Sequence, residues 1–236
     1  MKGTLINTGT VVVGSTLGLL VGQLLPSNAQ DIALSGIGLV NLALGVKMFL
    51  PSKNLILVAA CIALGGILGL LFGVQAGLES LSVWAKEVVG GRGKFSEGLL
   101  TASILFCVGP MTILGCIQDG LEGRSELLGL KSTLDGVAGF FLAASLGIGV
   151  LFSAVVVLVF QGAITLLASR LKWLREDEEL LNEFTAVGGL MILSIGISLL
   201  GLKQMPTANY LPGLLMVPVL HRCYLAFTRY KTSSLG

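Results

Sequence analysis

The sequence predicts an all-α fold, a polytopic helical membrane protein of about seven to eight transmembrane segments. Of its 236 residues 54% are hydrophobic and 12% charged, about half the charge of a soluble domain. Mean hydropathy is +0.91. Uncharged runs of roughly the 20 residues that carry a helix across the hydrocarbon core recur along the chain. Residues 1–236 therefore read as a single integral membrane domain.

The first run extends from Gly3 to Gln30 and is broken after one helix by Pro26, Ser27 and Asn28. Lys2 precedes it as in a signal peptide, but the run is long and has no A-x-A site, so a retained membrane helix is expected. The second segment spans Ile32 to Leu50, with Lys47 near its end, where an ammonium snorkels. The third is Leu55 to Leu78. Glu79 to Glu97 mixes Trp84 and Val88 with charges and reads as an interfacial amphipathic helix closed by the Gly-Gly-Arg-Gly turn at 90 to 93. Gly98 to Gln118 is the fourth segment. Gly136 to Ser169 carries no charge over 34 residues, about 51 Å as a helix against a core of about 30 Å. It is divided at Gly147 and Gly149 into the fifth and sixth segments. A solvated helix is expected at Arg170 to Glu183, then the seventh segment from Phe184 to Leu202. The eighth, Gln204 to Leu220, is interrupted by Pro206, Pro212 and Pro218.

With both termini cytoplasmic, eleven basic residues fall inside and four outside (Lys86, Arg92, Lys94 and Lys203), in line with the positive-inside rule. A net charge of +2 with no basic-aromatic pattern argues against nucleic acid. Cys61, Cys107, Cys116 and Cys223 have neither metal-ligand nor redox spacing and read as packing residues. His221, the sole histidine, stands beside Arg222 and reads as an interfacial side chain, so no metal site or cofactor is expected. P-loop, HExxH and GxSxG motifs are absent, and an enzyme is the weaker class.

Gly14-Ser-Thr-Leu-Gly18-Leu-Leu-Val-Gly22 and Gly65-Gly-Ile-Leu-Gly69-Leu-Leu-Phe-Gly73 match at six of nine positions. Both carry GxxxGxxxG, which lets a second backbone approach closely, and a homo-oligomer through these six glycines is expected. Gly38-Leu39-Val-Asn-Leu42-Ala-Leu-Gly45 likewise matches Gly189-Leu190-Met-Ile-Leu193-Ser-Ile-Gly196. One duplication does not explain both pairs, and Gly- and Leu-rich helices also resemble one another by composition. Inverted repeats would place a substrate site between them.

The most unusual stretch runs from Phe106 to Gly120. Pro110 lacks an amide donor and clashes with the preceding turn, so carbonyls near Phe106 and Cys107 must find new partners. A broken helix there makes Gly109, Pro110 and Thr112 candidate site residues, against the alternative of a simple kink. Gln118 and Asp119 end the segment. An anion at a helix C-terminus calls for a cation, a partner or water, so Asp119 is either a gate or a headgroup-level residue. Asp135, three residues after Ser132, has the spacing of a helix cap. Asn7, Asn41, Ser145, Ser153, Gln161 and Asn209 are polar in otherwise apolar segments. Gln161 stands out for its apolar surroundings, and Asn209 with Pro212 suggests a second broken element facing the first. No basic residue is expected within the membrane segments.

These motifs, in order, resemble a bacterial family, domain of unknown function 554, which includes the YqgA-like membrane proteins. The resemblance runs from Gly3-Thr-Leu-Ile-Asn7 through Gly109-Pro110, Gln118-Asp-Gly120, Lys131-Ser-Thr-Leu-Asp-Gly136, Leu146-Gly-Ile-Gly-Val150 and Gln161-Gly162. It ends at Ala186-Val-Gly-Gly189 and Asn209-Tyr-Leu-Pro212. It implies a bacterial cytoplasmic-membrane protein and brings no substrate. The functional expectation is a small secondary transporter or channel for a small cation or polar metabolite, with a non-transporting scaffold as the alternative.

Overall fold

The computed structural model describes residues 1–89 and 94–233, without the side chains of Ser27, Val89, Pro110, Arg175 and residues 227–233. The turn expected at 90 to 93, Arg92 included, lies outside the described residues. Among these residues the chain is helical and holds no strand. The helices are α1 (Lys2–Gly22), α2 (Ser27–Phe49), α3 (Leu55–Leu71), α4 (Val74–Val89), α5 (Phe95–Cys107) and α6 (Pro110–Glu122). They continue with α7 (Glu126–Leu146), α8 (Gly149–Leu166), α9 (Ala168–Glu176), α10 (Glu178–Leu199), a 3-10 turn (Thr207–Tyr210) and α11 (Leu211–Ser233). Five helices are long and apolar enough to cross a membrane, and two bent pairs, α3 with α4 and α5 with α6, raise the number to seven. The expected eighth segment forms α11, which is not among them.

Glycine decides which helices meet. A Cβ on Gly14, Gly18 or Gly22 of α1 would stand 2.1, 2.1 and 2.5 Å from the carbonyl oxygens of Gly136, Phe140 and Ala144 of α7. The constant spacing makes α1 and α7 parallel, backbone on backbone, the close approach that small residues permit. The α1 stripe expected to join two copies is thus filled by α7 of the same chain. Gly65 and Gly69 are filled likewise, by Gly213 and by the Asn209 carbonyl, 2.0 Å from the position of a Gly69 Cβ. Gly73 does not belong to a stripe at all. It lies beyond the end of α3 with φ +63°, the left-handed stop that glycine adopts without a Cβ penalty. The third segment therefore ends at Leu71, not Leu78, and the chain bends by 58° into α4. The amphipathic helix expected at Glu79 begins at Val74.

The two Gly-Leu repeats pack on each other. Gly38 meets Gly196 and Gly45 meets Gly189, so α2 and α10 run antiparallel, the first glycine of each repeat against the last of the other. α3 and α11 are antiparallel through Gly65 and Gly213. The starts of α1, α3, α7 and α10 share one end of the bundle, here called the terminal end. His221 of α11 reaches Asp177 there, with Nε2 to Oδ2 of 3.5 Å, so the start of α1 and the end of α11 both lie at this end.

The division of the long apolar run is observed, because α7 stops at Leu146 and Gly147 takes φ +84° before α8. Other boundaries differ. α7 starts at Glu126, ten residues ahead of the expected fifth segment. Glu183, expected on a solvated helix, belongs to α10 and is buried. Its carboxylate accepts bonds from Ser52 Oγ (2.6 Å) and from the amides of Lys53 and Asn54 (3.0 Å each), clipping the α2–α3 turn to α10. His221 is buried and turned inward rather than snorkelling.

Candidate functional site

The expected broken helix is present. α5 ends at Cys107, Val108 and Gly109 are extended, and Pro110 opens α6, with 60° between the two helices. Pro110 stands at the first helical position, where its missing N–H costs no bond; its ring lies outside the described side chains. Gly109 has φ 168°, open to any residue, and a Cβ there would meet nothing within 4 Å. Glycine is thus not what forces the break. Leaving the helix strips the Phe106 carbonyl of its intrahelical partner, and two side chains take it up: Thr112 Oγ1 donates at 3.1 Å and Lys131 Nζ at 2.8 Å.

Lys131 is the group that the sequence reading missed. It precedes the uncharged run expected as the fifth segment, yet it is 6% exposed and lies about 7.5 Å into α7. One turn on, Asp135 pairs with it through Oδ2 and accepts a 2.9 Å bond from Asn7 Nδ2 of α1. Asp135 does not cap a helix, since α7 began about two and a half turns earlier, and Ser132 Oγ bonds instead to the Leu128 carbonyl. The expectation that no basic residue lies within the membrane segments is overturned. Isolated charges are costly there, and an intramembrane ionisable pair is a mark of function by default.

On α1 and α8 several buried polar atoms lack partners among the described residues. Asn7 Oδ1 is unbonded, as are both amide atoms of Gln161, whose side chain is fully buried. α1 and α8 meet through a 3.2 Å bond between the Thr4 and Thr165 hydroxyls. Asn7 and Gln161 are the next side-chain polar groups inward on each helix. The break, the paired charges and the amides thus collect on α1, α5, α6, α7 and α8.

The remaining candidates lie elsewhere. Asp119 is buried at the terminal end, where Oδ2 accepts the Gly3 amide at 3.1 Å and faces the Met1 amine at 2.8 Å. A carboxylate at a helix N-terminus is stabilised by the helix dipole, so Asp119 anchors α1. Gln118, partly buried, precedes it on α6. Asn209 and Pro212 sit at the opposite end and do not face the break. Asn209 Oδ1 accepts the Gln75 amide (2.9 Å), while Gln75 Oε1 accepts the Ala208 amide (3.1 Å), so the 3-10 turn caps α4. Pro212, in the first turn of α11, breaks no helical bond.

A family model described as "Protein of unknown function (DUF554)" matches residues 2–222. The chain is 36% identical over 224 residues to "Uncharacterized membrane protein YdfK" of Bacillus subtilis (strain 168), covering 93% of this chain and 95% of that relative. It is 28% identical over 231 residues to "Uncharacterized protein YqgA" of Escherichia coli (strain K12), covering 95% and 98%. No solved structure matches.

Proposed function

From this chain's place in the DUF554 family, to which it belongs, and from its buried charge network, we propose that it is a small secondary transporter or channel for a small cation or polar metabolite. The observation that carries this reading is the Lys131–Asp135 pair seated on the open Phe106 carbonyl at the α5–α6 break. Broken helices supply a membrane protein with free carbonyls and helix ends at a substrate site. A buried ion pair is a poor route to stability, because desolvation offsets most of its attraction. Its cost is repaid when the pair separates to bind a substrate.

The start of α1, the end of α11 and most basic residues among those described share one end, which the positive-inside rule assigns to the cytoplasm of a bacterial inner membrane. No catalytic role is assigned to any residue. An oligomer would have to use surfaces other than the α1 and α3 glycines, which are filled within the chain.

The test is reconstitution in liposomes with currents and tracer uptake recorded for inorganic cations, amines, amino acids and organic acids. Solute-dependent flux that is lost in Asp135→Asn and Lys131→Gln supports the reading. Folded, oriented protein that moves none of these solutes sinks it and favours the scaffold, which the close glycine packing of α1 on α7 and α2 on α10 would also serve.

A further inference from the structure

At the end of the bundle opposite the termini, α4, α5, the end of α10 and the 3-10 turn enclose an open cavity of about 310 Å³. Cavities that hold small ligands begin at about this size. Two carboxylates line it, Glu79 and Glu97, and among the described residues no basic side chain does. Glu79 Oε1 accepts a 2.6 Å bond from Gln75 Nε2. Glu97 is half-buried and has no hydrogen-bond or ion-pair partner among the described residues. Its place in the first turn of α5 favours its charge through the helix dipole but supplies no counter-ion.

A second observation is independent of the acids. Thr101, one turn further down α5, lines the same cavity, is only 9% exposed, and makes no hydrogen bond with any described residue. A hydroxyl without a protein partner on a cavity wall is left for water or an occupant to bond. Below it the cavity is floored by Ile104 and Ile195. An anionic rim, an unpartnered hydroxyl and an apolar floor describe a host for a cation that carries hydrocarbon. The described residues include no group of three or more His, Cys, Asp or Glu suited to a metal ion.

The deeper site speaks for the same chemistry. Ile104 lies four residues before Val108, where the break begins, and the network beyond it already holds a primary ammonium, that of Lys131, between the Phe106 carbonyl and Asp135. We infer that the cavity bordered by Glu79, Glu97 and Thr101 binds a small primary alkylammonium and is the entry site for that class of substrate. The assignment of the substrate rests on the transport reading; binding in the cavity does not.

Binding is therefore measured without transport. Full-length protein in nanodiscs of neutral lipid is titrated calorimetrically with 1,4-diaminobutane, with butane-1,4-diol and sodium chloride as controls. Saturable diamine binding is expected, weakened about tenfold in Glu97→Gln and in Glu79→Gln, the loss of one charge-assisted contact, and unchanged in Glu126→Gln, an exposed acid at the terminal end of α7. No saturable heat with folded protein, equal binding of the diol, or undiminished binding in both Glu variants would overturn the inference. If inorganic cations flow while the diamine fails to bind, transport stands and this assignment falls. If the diamine binds but nothing crosses, the cavity stands and transport falls.

Discussion

Replacing Lys131 with Met strands a buried carboxylate. Lys131 and Asp135 are each 6% exposed, and in the wild type Asp135 has two partners, the Lys131 ammonium and Asn7 Nδ2 at 2.9 Å. The variant keeps only the amide, and the Phe106 carbonyl keeps only Thr112. Removing one member of a buried ion pair costs about 3–5 kcal/mol, because the survivor remains desolvated. Asp135→Leu strands the ammonium and costs about the same. The double variant, Lys131→Met with Asp135→Leu, carries no buried charge and leaves only the Asn7 amide short of an acceptor, about 1–3 kcal/mol. It should therefore be more stable than the sum of the two single changes predicts, by several kcal/mol, and at least as stable as either alone. Unfolding in mixed micelles of rising SDS content, followed by circular dichroism, measures all four proteins. Single variants that lose under about 1 kcal/mol, the worth of an exposed pair, would refute the buried network, as would a double variant equal to the sum.

Gly18→Ala places a Cβ 2.1 Å from the Phe140 carbonyl and should cost about 1–3 kcal/mol in the same assay, whereas Gly9→Ala, with nothing within 4 Å, should gain up to about 1 kcal/mol of helix propensity. Gly147→Ala, at φ +84°, should lose about 1–3 kcal/mol to backbone strain, while Gly109→Ala should change stability little; comparison of their thermal midpoints checks this. Gln161→Leu removes two unbonded buried amide atoms and should stabilise the fold by about 1–3 kcal/mol while reducing flux in liposomes. A variant both less stable and fully active would contradict the role given to Gln161.

The break at Gly109-Pro110 and the division at Gly147 were legible because each depends on local backbone chemistry. Proline removes a donor wherever it stands, and glycine relieves a turn wherever the chain must reverse. The start of α7 was hidden for the opposite reason. Searching for uncharged runs places Lys131 and Asp135 outside the membrane segment. Their i, i+4 spacing, which lets opposite charges pair on one helix face, was the available signal. Nothing local shows that Phe106, 25 residues earlier, supplies the second acceptor. The glycine stripes announced close contacts but not their partners. Gly14 and Gly18 face α7 at a separation of 122 residues, beyond the reach of any pattern within one helix. Asn209 looked like half of a substrate site because Asn and Pro interrupt a helix in either role, and only its bond to the Gln75 amide identifies a cap.

Water access to the break is open to measurement before any substrate is known. Cys116, one turn beyond Thr112 on α6, and Cys61, in the α3–α11 contact, are equally buried at 0% exposure. Proteins retaining one or the other as the single cysteine are reconstituted in liposomes and reacted with a membrane-impermeant thiol reagent. A transporter that opens at the break should expose Cys116 to labelling from at least one side while Cys61 stays inert. Cys116 as unreactive as Cys61 under every ion and solute condition would mean that the charge network never meets water, and would contradict transport through it.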